Sequence, residues 1–277
     1  VRRFTQVDVF TDTLMEGNPV AVVHDADGIG DDEMAAFARW TNLSETTFLL
    51  TPADERADYR LRIFTPGGEL PFAGHPTLGS ARAWLEAGRS PQTPGMLVQE
   101  CGAGLVNIRQ DGDRLAFAAP PLVREGPVDI AVMAQITRAL GIDPDVIEAA
   151  NWVDNGPGWI GLLLLGAEDV LELKPDFGLM GNLAVGVMGP HASDDEGLPT
   201  YETRAFVPGL SVPEDPVTGS LAAGFATWLI GDGLAPDRYL VRQGTRLDRR
   251  GRIHVRRDGE IWVGGDTVVG IRGEVAL

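Results

Sequence analysis

The chain has 277 residues, 44% of them hydrophobic, enough to build two cores rather than one. Its 40 acidic against 23 basic residues leave a net charge of −17, which repels phosphate backbones and anionic lipid and argues against nucleic-acid and membrane partners. Cys101 is the only cysteine, so an internal disulfide and a cysteine-built zinc site are both excluded.

No run of about 18 to 20 apolar residues occurs. The opening Val1-Arg2-Arg3-Phe4-Thr5-Gln6-Val7 passes straight into strand-like alternation, so a cytoplasmic address is expected. Residues 4 to 10 read as a strand. Glu16-Gly17-Asn18-Pro19 reads as a turn, with Asn18 a turn residue, before the strand Val20-Ala21-Val22-Val23. Asp31-Asp32-Glu33 opens a helix, and Thr46-Thr47-Phe48-Leu49-Leu50 is β-branched, aromatic and apolar, hence a strand. Glu45 stands at the mouth of that strand, where position alone reads as a solvated surface charge.

A strand over Tyr59 to Phe64 leads through Thr65-Pro66-Gly67-Gly68 towards a helix, and strands around Cys101 to Ile108 and Arg114 to Ala118 flank the hairpin signal Asp111-Gly112-Asp113. Ala119-Pro120-Pro121 marks a boundary between lobes. Beyond it a helix over Ile130 to Leu140 stops at Gly141, and strands are expected at Ile160 to Leu165, Leu183 to Met188 and Tyr201 to Phe206. Four more strand segments follow, around Tyr239, Ile253, Ile261 and Val268. Many short strands with one strongly apolar helix per half predict an α+β fold rather than a doubly wound nucleotide fold.

Other signals fail. Gly102-Ala103-Gly104 lacks the third glycine and the helix of a dinucleotide fingerprint. His24, His191 and His254 have no metal-ligand spacing, and Asp194-Asp195-Glu196 reads as a solvated loop. Lys174, the only lysine, sits in a loop-like Leu-Lys-Pro context that is unpromising for a Schiff base.

The strongest signal is a repetition. His75-Pro76-Thr77-Leu78-Gly79-Ser80 returns 140 residues on as Asp215-Pro216-Val217-Thr218-Gly219-Ser220, and Phe64-Thr65-Pro66-Gly67 returns as Phe206-Val207-Pro208-Gly209. A period of half the chain predicts a duplicated domain, not a solenoid. Each copy reads as a strand ending at Pro, a turn, and a helix beginning near the Gly-Ser pair. Helix starts built of small residues present free amides and a favourable dipole to an anion such as a carboxylate. The change from His75 to Asp215 is the one read as chemical, since a structural cap needs neither an imidazole nor a carboxylate there.

Asn42-Leu43-Ser44-Glu45-Thr46, the block from Glu69 to Ala81, and Glu214 to Ser220 closely resemble the PhzF-like (phenazine biosynthesis) isomerase family, and Gly17-Asn18-Pro19 and Gly264-Gly265 fit as well. The resemblance implies a diaminopimelate-epimerase-like fold of two pseudo-symmetric lobes, each a curved, mostly antiparallel sheet around a central helix. The N-terminal lobe is expected over 1–122, joined by 266–277, and the C-terminal lobe over 123–265, with the site in the cleft between them. It further implies a homodimer and no cofactor or metal.

Carried over by position, Glu45 is the principal proton acceptor and donor, with His75 and Asp215 flanking the reacting system. Gly74, Gly219 and Ser220 hold the substrate carboxylate or line its pocket. Related epimerases use two cysteines, and the equivalent stretches here have none. The expected activity is therefore a cofactor-free relocation of a proton in a small carboxylate, similar to trans-2,3-dihydro-3-hydroxyanthranilate or another amino or hydroxy acid. Closure around the substrate would adjust the carboxyl pKa by desolvation. Two alternatives stand beside it: a non-catalytic small-acid-binding protein on the same fold, and an epimerase using Glu45 and Asp215 on opposite faces.

Overall fold

Apolar alternation makes the first strand, β1 (Arg2–Val9), with Val7 and Val9 wholly buried. It pairs antiparallel with β2 (Asn18–Val23). Helix α1 (Asp31–Thr41) then crosses over, which lets β3 (Thr46–Leu50) run parallel to β2. The acids Asp31, Asp32 and Glu33 sit on the positive end of α1, and the helix stops at Asn42, left-handed at φ 54°, whose N–H closes on Ala38. Met34, Phe37 and Ala38, spaced as one helical face, bury against Val23, Phe48 and Phe64.

β4 (Tyr59–Thr65) returns antiparallel to β3 and folds back into β5 (Gly68–Leu70), from which the chain enters α2 (Gly74–Glu86). β6 (Met96–Cys101) pairs parallel with β4, and β7 (Gly104–Asp111) and β8 (Arg114–Ala118) follow antiparallel.

The computed structural model describes residues 1–210 and 212–277. They form two compact units, Val1–Ala118 with Gly264–Leu277, and Ala119–Val263. The second unit opens with β9 (Arg124–Gly126), α3 (Ile130–Leu140), β10 (Ile147–Asp154) and β11 (Trp159–Leu164). Short helices α4 (Ala167–Glu172) and α5 (Phe177–Met180) precede β12 (Ala184–Pro190), β13 (Thr200–Val207) and β14 (Val212–Asp215). Then come α6 (Gly219–Gly231), β15 (Arg238–Gln243), β16 (Gly251–Asp258) and β17 (Glu260–Gly265), whose last two residues already belong to the first unit. There β18 (Thr267–Val275) lies antiparallel to β1.

The duplication read from the sequence is written in the pairings. The first unit runs β1 antiparallel to β2, parallel to β3, antiparallel to β4, parallel to β6, antiparallel to β7. The second repeats the series with β10, β11, β12, β13, β15 and β16. β5 and β14 are equivalent too, each a short return strand off the fourth member of its series. Each unit holds one largely buried helix of 13 residues, α2 or α6. In α2, Gly79 packs on β2 so closely that a Cβ there would lie 2.2 Å from Val20 Cγ1.

Two expectations need correction. The first helix of the repeat begins at Gly74, not at Gly79-Ser80, so Gly79 and Ser80 are interior helical residues; only the second copy starts at its Gly-Ser pair. Proline is tolerated within a first turn, so Pro76 does not delay the helix. Asn18 is the buried first residue of β2 rather than an exposed turn residue. The strand β10 carries little alternation and passed unnoticed in the sequence. Among the described residues no helix is long and apolar enough to cross a membrane.

Candidate active site

In the first unit, the end of α1 and the start of β3 fix the segment that carries Glu45. The left-handed Asn42 turns the chain out of α1, and the Thr41 and Thr46 hydroxyls meet at 2.7 Å across the loop. One step on, Thr47 donates to the Ala21 carbonyl at 3.1 Å, and its Oγ1 lies 2.9 Å from Ser80 Oγ on α2. Since Thr47 has only one proton, Ser80 is the donor of that second bond. One turn earlier in α2, Gln99 Nε2 donates to Thr77 Oγ1 at 3.0 Å. β3 and α2 are thus pinned together by buried hydroxyls around the segment that matters.

His75, the second residue of α2, is 4% exposed. Its Nε2 stands 3.2 Å from Glu45 Oε2, while the Glu45 side chain keeps 14% of its surface open. The separation is that of an ion pair, yet the alignment is not that of a regular hydrogen bond to Nε2; we read it as a contact ready to tighten. Desolvation holds His75 at a pKa of about 3, so the imidazole is neutral at physiological pH. Glu45 is therefore partly buried beside a neutral ring, not the solvated charge its position suggested. Gly74, next in the chain, opens α2, and first-turn amides such as those of Gly74 and His75 have no partners within their own helix.

The second unit places Asp215, Gly219 and Ser220 at the end of β14 and the start of α6. The β13–β14 hairpin is held by Arg204, whose Nε and Nη2 each meet a Glu214 carboxylate oxygen at 2.8 Å while Nη1 donates to the Leu173 carbonyl at 2.8 Å. Beyond Glu214, Thr218 donates its hydroxyl to Asp215 Oδ2 at 2.5 Å. Gln243, 1% exposed, sets that hydroxyl: its Nε2 donates to Thr218 Oγ1 at 2.8 Å and to the Asp215 carbonyl at 3.0 Å, and its Oε1 accepts from the Thr218 N–H at 2.9 Å. With an N–H pointed at its oxygen, the hydroxyl must turn its own proton to the carboxylate.

Ser220 is organised in the same manner. Trp159 Nε1 donates to Ser220 Oγ at 3.1 Å, and Asn155 Nδ2 donates to the Ser220 carbonyl at 2.8 Å. The indole occupies the oxygen and leaves the hydroxyl proton available to an acceptor.

A family model, the phenazine biosynthesis-like protein, matches residues 7–276. The chain belongs to the phenazine biosynthesis-like family. A Schizosaccharomyces pombe protein, antisense-enhancing sequence 1, is 36% identical, with 98% of this chain and 97% of that one covered. The trans-2,3-dihydro-3-hydroxyanthranilate isomerase of Pseudomonas aeruginosa is 32% identical over 94% of this chain and 91% of its own. Among solved structures, a PhzF-family protein of Enterococcus faecalis aligns over 100% of this chain and 99% of its own at a TM-score of 0.81 and 25% identity. This member of the phenazine biosynthesis-like family is an isomerase with an α+β fold.

Of the six site residues read from the sequence of this isomerase, the structure brings Glu45 and His75 into contact beside Gly74, and gathers Asp215, Gly219 and Ser220 around the first turn of α6. Sequence reasoning missed Thr218, Gln243, Trp159 and Asn155. A signal for Thr218 was present: within the repeat it replaces Leu78, a hydroxyl for an apolar group, while Val217 replaces Thr77 in the opposite sense, so the hydroxyl moves one position along the motif. The other three sit on strands or loops remote in sequence from the groups they orient.

Proposed function

We propose that the protein is a cofactor-independent isomerase that moves a proton within a small carboxylate substrate. Glu45 removes a proton from a carbon acidified by an adjacent π system and returns it elsewhere on the same face. The product is a double-bond isomer or tautomer. The observation that carries this reading is the contact of Glu45 Oε2, 3.2 Å away, with an imidazole that burial keeps neutral. The ring adds no positive charge of its own beside this partly buried carboxylate and brings Nε2 within reach of its oxygen, a geometry suited to a proton acceptor and donor.

The resemblance assigns Gly74, Gly219 and Ser220 to holding the substrate's carboxylate or lining its pocket; each lies in the first turn of its helix, and Ser220 adds a hydroxyl donor. The resemblance assigns Asp215, whose carboxylate accepts from Thr218, the part of a second acid or base. The named activity of the Pseudomonas aeruginosa relative makes a dihydro-hydroxyanthranilate-like amino acid the first substrate to try. The homodimer that the resemblance implies is read directly by light scattering.

The experiment is turnover in deuterium oxide, starting with trans-2,3-dihydro-3-hydroxyanthranilate and extending to unsaturated amino and hydroxy acids. Glu45→Gln is expected to retain binding of the acid while losing product formation and isotope exchange together. Exchange at the wild-type rate in that variant removes Glu45 as the base. Inversion at one stereocentre with no shift of a double bond would assign the epimerase chemistry instead, and binding without exchange across the whole set would assign a binding protein.

A further inference from the structure

The His75 ring has two nitrogens, and the residue facing the second has no role in the reading above. His75 Nδ1 lies 3.4 Å from Asn18 Nδ2. Asn18 is 0% exposed, at the start of β2, where its backbone pairs with Val9. Its carbonyl oxygen is met in turn by the Ser44 hydroxyl, which donates to Oδ1 at 3.4 Å. Ser44 is the neighbour of Glu45, so the four side chains run in a closed series from Ser44 through Asn18 and His75 to Glu45.

Three protonation states of the ring can be set against these neighbours. With the proton on Nδ1, an N–H would face the N–H of the Asn18 amide, and the Nε2 lone pair would face a carboxylate oxygen. With both nitrogens protonated, the clash at Asn18 remains and the charge falls on a ring that is only 4% exposed. With the proton on Nε2 alone, Asn18 donates to Nδ1, and Nε2–H faces the Glu45 carboxylate at 3.2 Å in a contact that can tighten into a hydrogen bond, so donor faces acceptor at both ends.

We infer that Asn18 is a positioning residue that holds His75 as the Nε2–H tautomer, so that the ring serves Glu45 as a donor and is closed to it as a proton acceptor. When Glu45 takes a proton from substrate, Nε2 is already occupied and Nδ1 is covered by the Asn18 amide. The proton stays on Glu45 and goes back to the substrate. This deepens the proposed function in that respect, but the tautomer itself does not depend on Glu45 being the base.

The test is nitrogen-15 NMR of the full chain at neutral pH, with the His75 ring assigned among the four histidines by its loss in His75→Gln. A pyrrole-type Nε2 and a pyridine-type Nδ1 are expected. The opposite tautomer, or a charged ring, overturns the inference without any variant having to fold.

Asn18→Asp, of nearly the same shape, presents only acceptors to Nδ1, so carboxylates then face both ring nitrogens and Nδ1 is expected to gain a proton, moving its line from the pyridine type to the protonated type. Asn18→Leu removes the donor and is expected to give a mixture. Wild-type line positions in both folded variants overturn the role of Asn18. Substrate is absent throughout, so these outcomes are separate from those of Glu45→Gln in deuterium oxide.

Discussion

Trp159 gives its indole N–H to Ser220 Oγ over 3.1 Å, at the first turn of α6, and so directs the serine's own proton away from the indole. If that proton meets the substrate carboxylate, Ser220→Ala removes a hydrogen bond to a charged group, commonly about 1.5–3 kcal/mol, and weakens binding of an acid such as anthranilate at least about tenfold. Trp159→Phe keeps the ring and frees the hydroxyl to rotate, so a smaller loss is expected. Isothermal titration of both variants checks the order; equal affinity in wild type and Ser220→Ala would remove Ser220 from the binding role.

Asp215 depends on a residue 28 positions away, because Gln243 orders the Thr218 hydroxyl that the carboxylate accepts. Gln243→Leu removes three hydrogen bonds, two of them buried, and leaves the buried Thr218 N–H without that partner at a cost of about 1–3 kcal/mol, which makes this a destabilising change. Thr218→Val is the milder test, since it removes only the hydroxyl. It is expected to reduce turnover of the substrate while leaving its KM nearly unchanged, as befits a group that sets a proton-handling side chain rather than one that grips the ligand. A rise in KM with unaltered turnover would place Asp215 in binding instead.

Why the first unit's site was less legible than its fold follows from α2. The strands announced themselves through alternation, and α1 through three acids followed by a spaced apolar face. α2 is buried along almost all of its first ten residues, so no polar face marks its register and no capping side chain marks its start at Ala73. The helix was therefore set five residues late. Glu45 misled for a different reason: it meets His75 of α2, a helix some thirty residues on in sequence, and nothing local reports that contact. The repeat motif supplied the missing link between distant parts of the chain, because like sequence in both halves implies like strand order, and the pairings bear that out.

The seating of α2 on β2 gives a stability prediction. A methyl at Gly79 would lie 2.2 Å from Val20 Cγ1 and 3.1 Å from Val9 Cγ2, so Gly79→Ala has to push helix and sheet apart. Such overpacking costs typically about 1–3 kcal/mol, more than the helix propensity of alanine returns. At Gly231, the last residue of α6, nothing lies within 4 Å of the added carbon. Gly231→Ala is expected to be neutral or stabilising by up to about 1 kcal/mol. Paired urea melts decide it, and equal midpoints would mean that α2 yields freely against β2.

Acid sensitivity has a sign that can be worked out from His75. Its pKa is lowered by burial from 6.5 to about 3, so below the ordinary value the unfolded chain takes up a proton that the folded chain refuses. Stability from this group is complete above about pH 6.5 and falls as pH drops towards about 3, with a slope approaching 1.4 kcal/mol per pH unit. His24 adds a similar loss down to about pH 4, because burial and then the nearby Arg3 hold it neutral. Replacing His75 by Gln removes one of the two contributions. Between pH 7 and pH 5 the wild type should therefore lose about 2 kcal/mol more than His75→Gln, whatever their difference at pH 7. Chemical denaturation at matched ionic strength over that interval measures it, and parallel pH profiles would show that the ring already accepts a proton in the folded state.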